Sequence, residues 1–109
     1  MAYDEDLVNR LREVLAGERV DEKRMFGGLA FLINGNMAVA SSGRGGLMVR
    51  VPPEDTAELL SRDYVEPMVM AGRETRGWVR IGDDGVRTAR QLKSWVSRGV
   101  DYAKSLPAK

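Results

Sequence analysis

The sequence predicts an α+β domain. Its layout is a two-layer sandwich in the order α-β-β-β-α-β-β-α, with a five-stranded, mainly antiparallel sheet carrying its helices on one face. Three observations predict it. Apolar residues at helical spacing occupy both ends of the chain, runs with strand-like alternation fill the middle, and short turns rich in Gly, Asn and Asp separate those runs. Strands joined by such short turns pair as an antiparallel meander.

At the N-terminal end Leu7, Val8, Leu11, Val14 and Leu15 recur at helical spacing, and Asp4, Glu5 and Asp6 stand where the helix dipole favours negative charge. This gives a first helix over about residues 4–16, with Gly17 as its stop. The run from Lys23 to Ile33 reads as the first strand. Asn34-Gly35 follows, the pair best suited to a hairpin whose two central residues both need positive φ. Asn36 to Ser41 returns as the second strand, Gly43-Arg44-Gly45-Gly46 turns the chain again, and Gly46 to Val51 forms the third.

Pro52-Pro53 ends that strand and opens a helix whose apolar side is Ala57, Leu59 and Leu60, since proline is tolerated in a first helical turn. A short strand over Glu66–Met70, a turn at Ala71-Gly72-Arg73 and a fifth strand over Arg76–Ile81 come next. Asp83-Asp84-Gly85 is a further turn. Thr88 and Gln91 then have the spacing of a capping box, in which each side chain accepts an otherwise orphaned backbone N–H. Leu92, Trp95, Val96, Gly99, Val100 and Ala103 line one stripe of the last helix, to about Ser105.

Bulk properties bound the possibilities. A chain of 109 residues, 43% hydrophobic and 30% charged, fits one domain over residues 1–109. No apolar run approaches the ~20 residues that span a bilayer. The acidic, amphipathic start matches neither a signal nor a transit peptide, so a cytoplasmic protein without membrane association is expected. With no Cys and no His, thiolate nucleophiles, imidazole bases and Cys/His zinc sites are excluded. No carboxylate pair stands out for acid–base work, so no catalytic, cofactor-binding or metal-ligating residue is assigned and a non-enzymatic protein is expected. The net charge of +1 hides an acidic N-terminal part and a basic C-terminal one.

Alternation assigns two faces to the sheet. Gly77, Val79 and Ile81 point with Leu47, Val49 and Val51 toward the helices; Arg76, Trp78 and Arg80 point away with Met48 and Arg50, and Met68 and Met70 belong with them. An open face made of Met48, Arg50, Met68, Met70, Arg76, Trp78 and Arg80 has the composition of an interface core, and a homodimer contact is expected there. A third layer formed by a terminal helix and a ligand or nucleic-acid platform are the competing readings. Gly27 and Gly28, set inside the most apolar run, read as a place where a helix or a partner approaches the sheet closely.

Lys23-Arg24-Met25-Phe26-Gly27-Gly28, the Asn34-Gly35 turn, Gly46-Leu47-Met48-Val49-Arg50-Val51, Gly72-Arg73, Gly77-Trp78 and a last helix with Trp95 resemble the TfoX N-terminal domain family through nearly the whole chain. Met25, Phe26, Gly27 and Gly28, with Asn34 and Gly35, are the signature. The resemblance implies an α-β3-α-β2-α sandwich and kinship with a bacterial regulator of natural competence. Regulators of that type carry a second, C-terminal domain, whereas this sequence ends at Lys109, so it resembles a stand-alone N-terminal domain. The family supplies no catalytic residues to transfer.

Two function classes follow. One is a regulatory or protein-interaction module acting as a homodimer, with a further protein partner as an option. The other is a nucleic-acid-binding module that stacks bases on Trp78 between Arg76 and Arg80 and uses Arg90, Lys93 and Arg98 of the last helix for phosphate contact. A pI near 8.1 is below the usual basic footprint of such proteins. A small enzyme built on carboxylate and arginine chemistry is the third reading.

Overall fold

The structure, a computed structural model, describes residues 5–25, 28–41, 46–70 and 72–108. Three α-helices and six strands follow one another: α1 (Glu5–Val14), β1 (Asp21–Met25), β2 (Gly28–Ile33), β3 (Asn36–Ser41), β4 (Leu47–Arg50), α2 (Thr56–Leu60), β5 (Val65–Met70), β6 (Arg73–Ile81) and α3 (Ala89–Ser105). Short 3-10 turns at Pro53–Asp55 and Asp83–Gly85 lead toward α2 and α3. All strands belong to one open antiparallel sheet in the order β1-β2-β3-β4-β6-β5.

The sheet has six strands where five were expected. The run from Lys23 to Ile33 is two strands, because Met25 pairs opposite Gly28 and Lys23 opposite Ala30. The Gly27-Gly28 pair stands where one strand gives way to the next, and reading it as a close-approach site hid that change; the charged β1 lies at the sheet edge with Asp21, Glu22, Lys23 and Arg24 exposed. Charges on an edge strand discourage pairing with another chain. Phe26, Gly27 and the Gly43-Arg44-Gly45 turn lie outside the described residues.

Other local signals appear as expected. Asn34 and Gly35 take φ of 54° and 81°, as the β2–β3 hairpin requires. The capping box forms, with Gln91 N–H donating to Thr88 Oγ1 at 3.1 Å and Thr88 N–H to Gln91 Oε1 at 2.9 Å.

Two irregularities shape the sheet. Phe31 stands opposite Val39 and Leu32 opposite Met37, so Ala38 is an extra residue in β3. A bulge lets consecutive residues share a face, and Ala38 and Val39 both enter the helix-side core. In β6 the register jumps from Val79 opposite Pro67 to Glu74 opposite Val69. Gly77, at φ 89°, sits in that kink.

The main core joins Leu7, Val8, Leu11 and Leu15 near α1, Leu59 of α2 and Leu92, Val96, Val100 and Ala103 of α3 to Phe31, Val39, Val49, Val79 and Ile81 of the sheet. Among the described residues a second cluster draws on strand residues alone: Ala30, Ala40, Met48, Met68 and Trp78, with Met25, Leu32 and Met37 packed against it.

Candidate interaction site

The second cluster is built by register. Lys23, Ala30, Ala40, Met48, Arg80 and Glu66 stand successively opposite one another from β1 across to β5. Residues directly opposite share a face, so this row crosses one side of the sheet with two alanines and a methionine at its centre and charges at both ends. A neighbouring row sets Asp21 opposite Leu32 and Leu32 opposite Met37, and Trp78 opposite Arg50. The alternation that assigned Met48, Met68 and Trp78 to one face is thus realised in a single cluster.

Burial within this cluster is uneven. Met48, Met68 and Trp78 keep only 3%, 3% and 8% of their surface. Met25, Leu32 and Met37 are half-buried, and they form its accessible apolar part. Sequence alternation missed Leu32 and Met25 because β2 is apolar on both sides and β1 was not separated from it, and it missed Met37 because the bulge at Ala38 breaks the parity of β3.

The arginines around the cluster are drawn to different places. Arg50 lies with its guanidinium carbon 5.8 Å from the centre of the Tyr102 ring of α3. Arg76, beside the β6 kink, donates to the Pro53 carbonyl at 3.3 Å. Arg80 is half-buried and opposite Met48 and Glu66. Met70 ends β5 opposite Arg73.

The residues expected to contact nucleic acid do not form one surface. Trp78 has too little free surface for a base to stack on it. Arg80 belongs to the face row described above, whereas Arg90 and Lys93 are exposed on α3, the helix that packs on the other side of the sheet. Arg98 lies over the Trp95 ring at 5.6 Å. Asp84, in the Asp83–Gly85 turn, is ion-paired with Arg87.

Two glutamates are perturbed. Hydrogen bonds from the Arg12 guanidinium at 2.8 and 2.9 Å hold the Glu22 carboxyl below the usual glutamate range. Arg62 does the same to Glu58 one turn away in sequence, and its own guanidinium is held above its ordinary value by that bond. Both pairs are solvent-exposed; the first joins α1 to β1, and the second is local to the end of α2. Among the described residues no group of three or more Asp and Glu is placed to hold a metal ion, and no helix is long and apolar enough to cross a membrane.

A small α+β domain with an open six-stranded antiparallel sheet, one face of which carries an apolar cluster between charged ends, is thereby defined. The model of the TfoX N-terminal domain matches residues 11–103, and the chain belongs to that family. No curated protein and no solved structure gives a significant match.

Proposed function

We propose that the protein is a non-enzymatic regulatory domain that works through protein contact, as a homodimer joined by the sheet face that bears the second cluster. One observation carries this reading: an apolar cluster built from the strands, with half-buried Met25, Leu32 and Met37 at its accessible side. Methionine and leucine set among charges suit an interface core. The surrounding charges suit a two-fold contact in particular. Asp21 and Lys23 are exposed and share this face, as do Glu66 and Arg80 at the opposite end of the row. A patch that carries both signs can satisfy itself across a two-fold axis. Membership of the TfoX N-terminal domain family supports the regulatory part of the reading.

Light scattering coupled to size exclusion tests it. The unmodified chain is expected to have twice the mass of one copy. Met37→Glu is expected to halve that mass while the circular dichroism spectrum stays unchanged. Met37 is the better probe than Trp78, since charge at a buried tryptophan would damage folding as well as contact. A monomeric unmodified chain, or a Met37→Glu protein that stays dimeric, removes the assignment.

A further inference from the structure

The face that bears the second cluster is closed on one side and open on the other. Met48, Met68 and Trp78 of β4, β5 and β6 keep 3%, 3% and 8% of their surface, whereas half-buried Met25, Leu32 and Met37 belong to β1, β2 and β3. A second copy docked on this face therefore meets the β1–β3 side, and the charges that bear on the contact are those of β1. Register places them. Asp21 stands opposite Leu32 and Leu32 opposite Met37, so an acid, a leucine and a methionine share one row. Lys23 stands opposite Ala30 and Ala30 opposite Ala40, so the next row is a base and two alanines.

Two of the four charges on β1 are turned away from this face. Glu22 and Arg24 stand opposite Phe31 and Leu29 of the main core, and Glu22 is bound to Arg12 of α1 at 2.8 Å. Asp21 and Lys23 share the face with the apolar residues, are exposed, and make no ion pair among the described residues. They carry opposite signs and lie two residues apart, roughly 7 Å along one strand.

Opposite signs at that spacing decide how a two-fold axis can lie between two such faces. An axis along the strands returns every row to its own level. Asp21 then meets the partner's Asp21, the partner's Leu32 or the partner's Met37, and its charge is covered without a counter-charge. An axis across the strands, midway between the two rows, exchanges their levels instead. Asp21 then lies over the partner's Lys23 and Lys23 over the partner's Asp21, while Leu32 and Met37 line the axis beside the partner's Leu32 and the partner's Met37. Facing sheets stand about 10 Å apart, which an aspartate and an extended lysine span together. Of the two arrangements, this one pairs the charges and gathers open apolar residues at once. Resting on the homodimer reading above, we propose that the axis runs across the strands of the β1–β3 side and that Asp21 of each copy forms an ion pair with the partner's Lys23.

Sedimentation velocity of the intact chain over a dilution series tests the proposal. Asp21→Lys and Lys23→Asp are each expected to weaken self-association by about tenfold or more, because each turns two attractive pairs into two repulsive ones. The double variant Asp21→Lys/Lys23→Asp exchanges the signs within the same geometry and is expected to return to within about threefold of the parent. An equimolar mixture of the two single variants should form a mixed dimer more tightly than either associates with itself. Molar salt should narrow these differences, since the Debye length then falls to about 3 Å. Both positions are exposed, so the circular dichroism spectra should match the parent's. A dimer unmoved by either single reversal, or a double variant as weak as the single ones, overturns this arrangement and leaves the homodimer reading standing. A parent chain that is monomeric overturns both.

Discussion

Gly99 of α3 lies against the backbone of β3, so close that a Cβ at position 99 would fall 2.5 Å from the Ala38 carbonyl oxygen and 3.0 Å from Val39 Cγ1. The contact depends on two features at once. The bulge at Ala38 turns two consecutive β3 residues toward the helix, and glycine lets the helix descend onto them. Gly99→Ala sets these against helix propensity, which alone would favour alanine by about 1 kcal/mol. A backbone oxygen cannot swing aside as a side chain does, so crowding is expected to win, with overpacking of about 1–3 kcal/mol. Thermal unfolding should show a lower midpoint. Gly17→Ala is the control, because nothing lies within 4 Å of a Cβ there. A Gly99→Ala protein as stable as the parent would mean that α3 can lift off β3 without cost.

Thr56 holds the kink in β6. Its Oγ1 accepts the Gly77 N–H at 3.0 Å, and the Gly77 carbonyl accepts the Val51 N–H at 2.9 Å. Thr56 is 6% exposed, so water has little access to replace it. Thr56→Val keeps the shape and leaves a buried N–H without an acceptor, a loss of about 1–3 kcal/mol. Thr56→Ser should retain most of the stability, and the urea midpoints of the two variants should therefore separate. Equal midpoints would show that the hydroxyl has no structural role.

How far these features could be read from the sequence depended on whether they leave a compositional mark. Asn34-Gly35 and the Thr88–Gln91 capping box were legible because both depend on side-chain chemistry fixed by residue type. The face shared by Met48, Met68 and Trp78 was legible because alternation persists along those strands. Ala38 and the β6 kink were not, since a bulge adds residues without changing composition, and past Gly77 the parity that grouped Arg76 with Trp78 no longer applied. The expectation of a close approach at Gly27-Gly28 involves Gly27, which lies outside the described residues; the close approach at Gly99 went unread because its neighbours in sequence read as an ordinary helix.

Asn36 ties the end of the chain to the sheet. It is 2% exposed, and its Nδ2 donates to the Pro107 carbonyl at 3.0 Å, across 71 residues of sequence. Asn36→Ala removes the donor from a site where the acceptor's residue is exposed, so water can satisfy the carbonyl and the cost should stay near 1 kcal/mol. The segment after α3 should respond more than global stability does. Hydrogen exchange of the Leu106 amide, bonded to the Ala103 carbonyl at 3.3 Å, is expected to quicken while the amides of Val96 and Val100 keep their protection. Unchanged exchange at Leu106 would show that the tail is held by other contacts.

The Arg12–Glu22 pair fastens α1 to the edge strand β1, and it makes part of the stability depend on pH. The hydrogen bond to Arg12 lowers the folded-state pKa of Glu22 below its ordinary value of 4.5. A depressed carboxylate contributes stability that is fully present above the unfolded-state pKa and is lost as pH falls through the folded one. The loss should therefore set in below about pH 4.5. The side chains are 47% and 35% exposed, so screening keeps the contribution to at most about 1 kcal/mol. Arg12→Ala should accordingly lower the urea midpoint at neutral pH and leave it close to the parent's in acid, after Glu22 has been protonated in both proteins. Molar salt should narrow the neutral difference, since the Debye length then falls to about 3 Å. A difference that is the same at neutral and acid pH would assign the effect to the packing of the Arg12 stem instead of its charge.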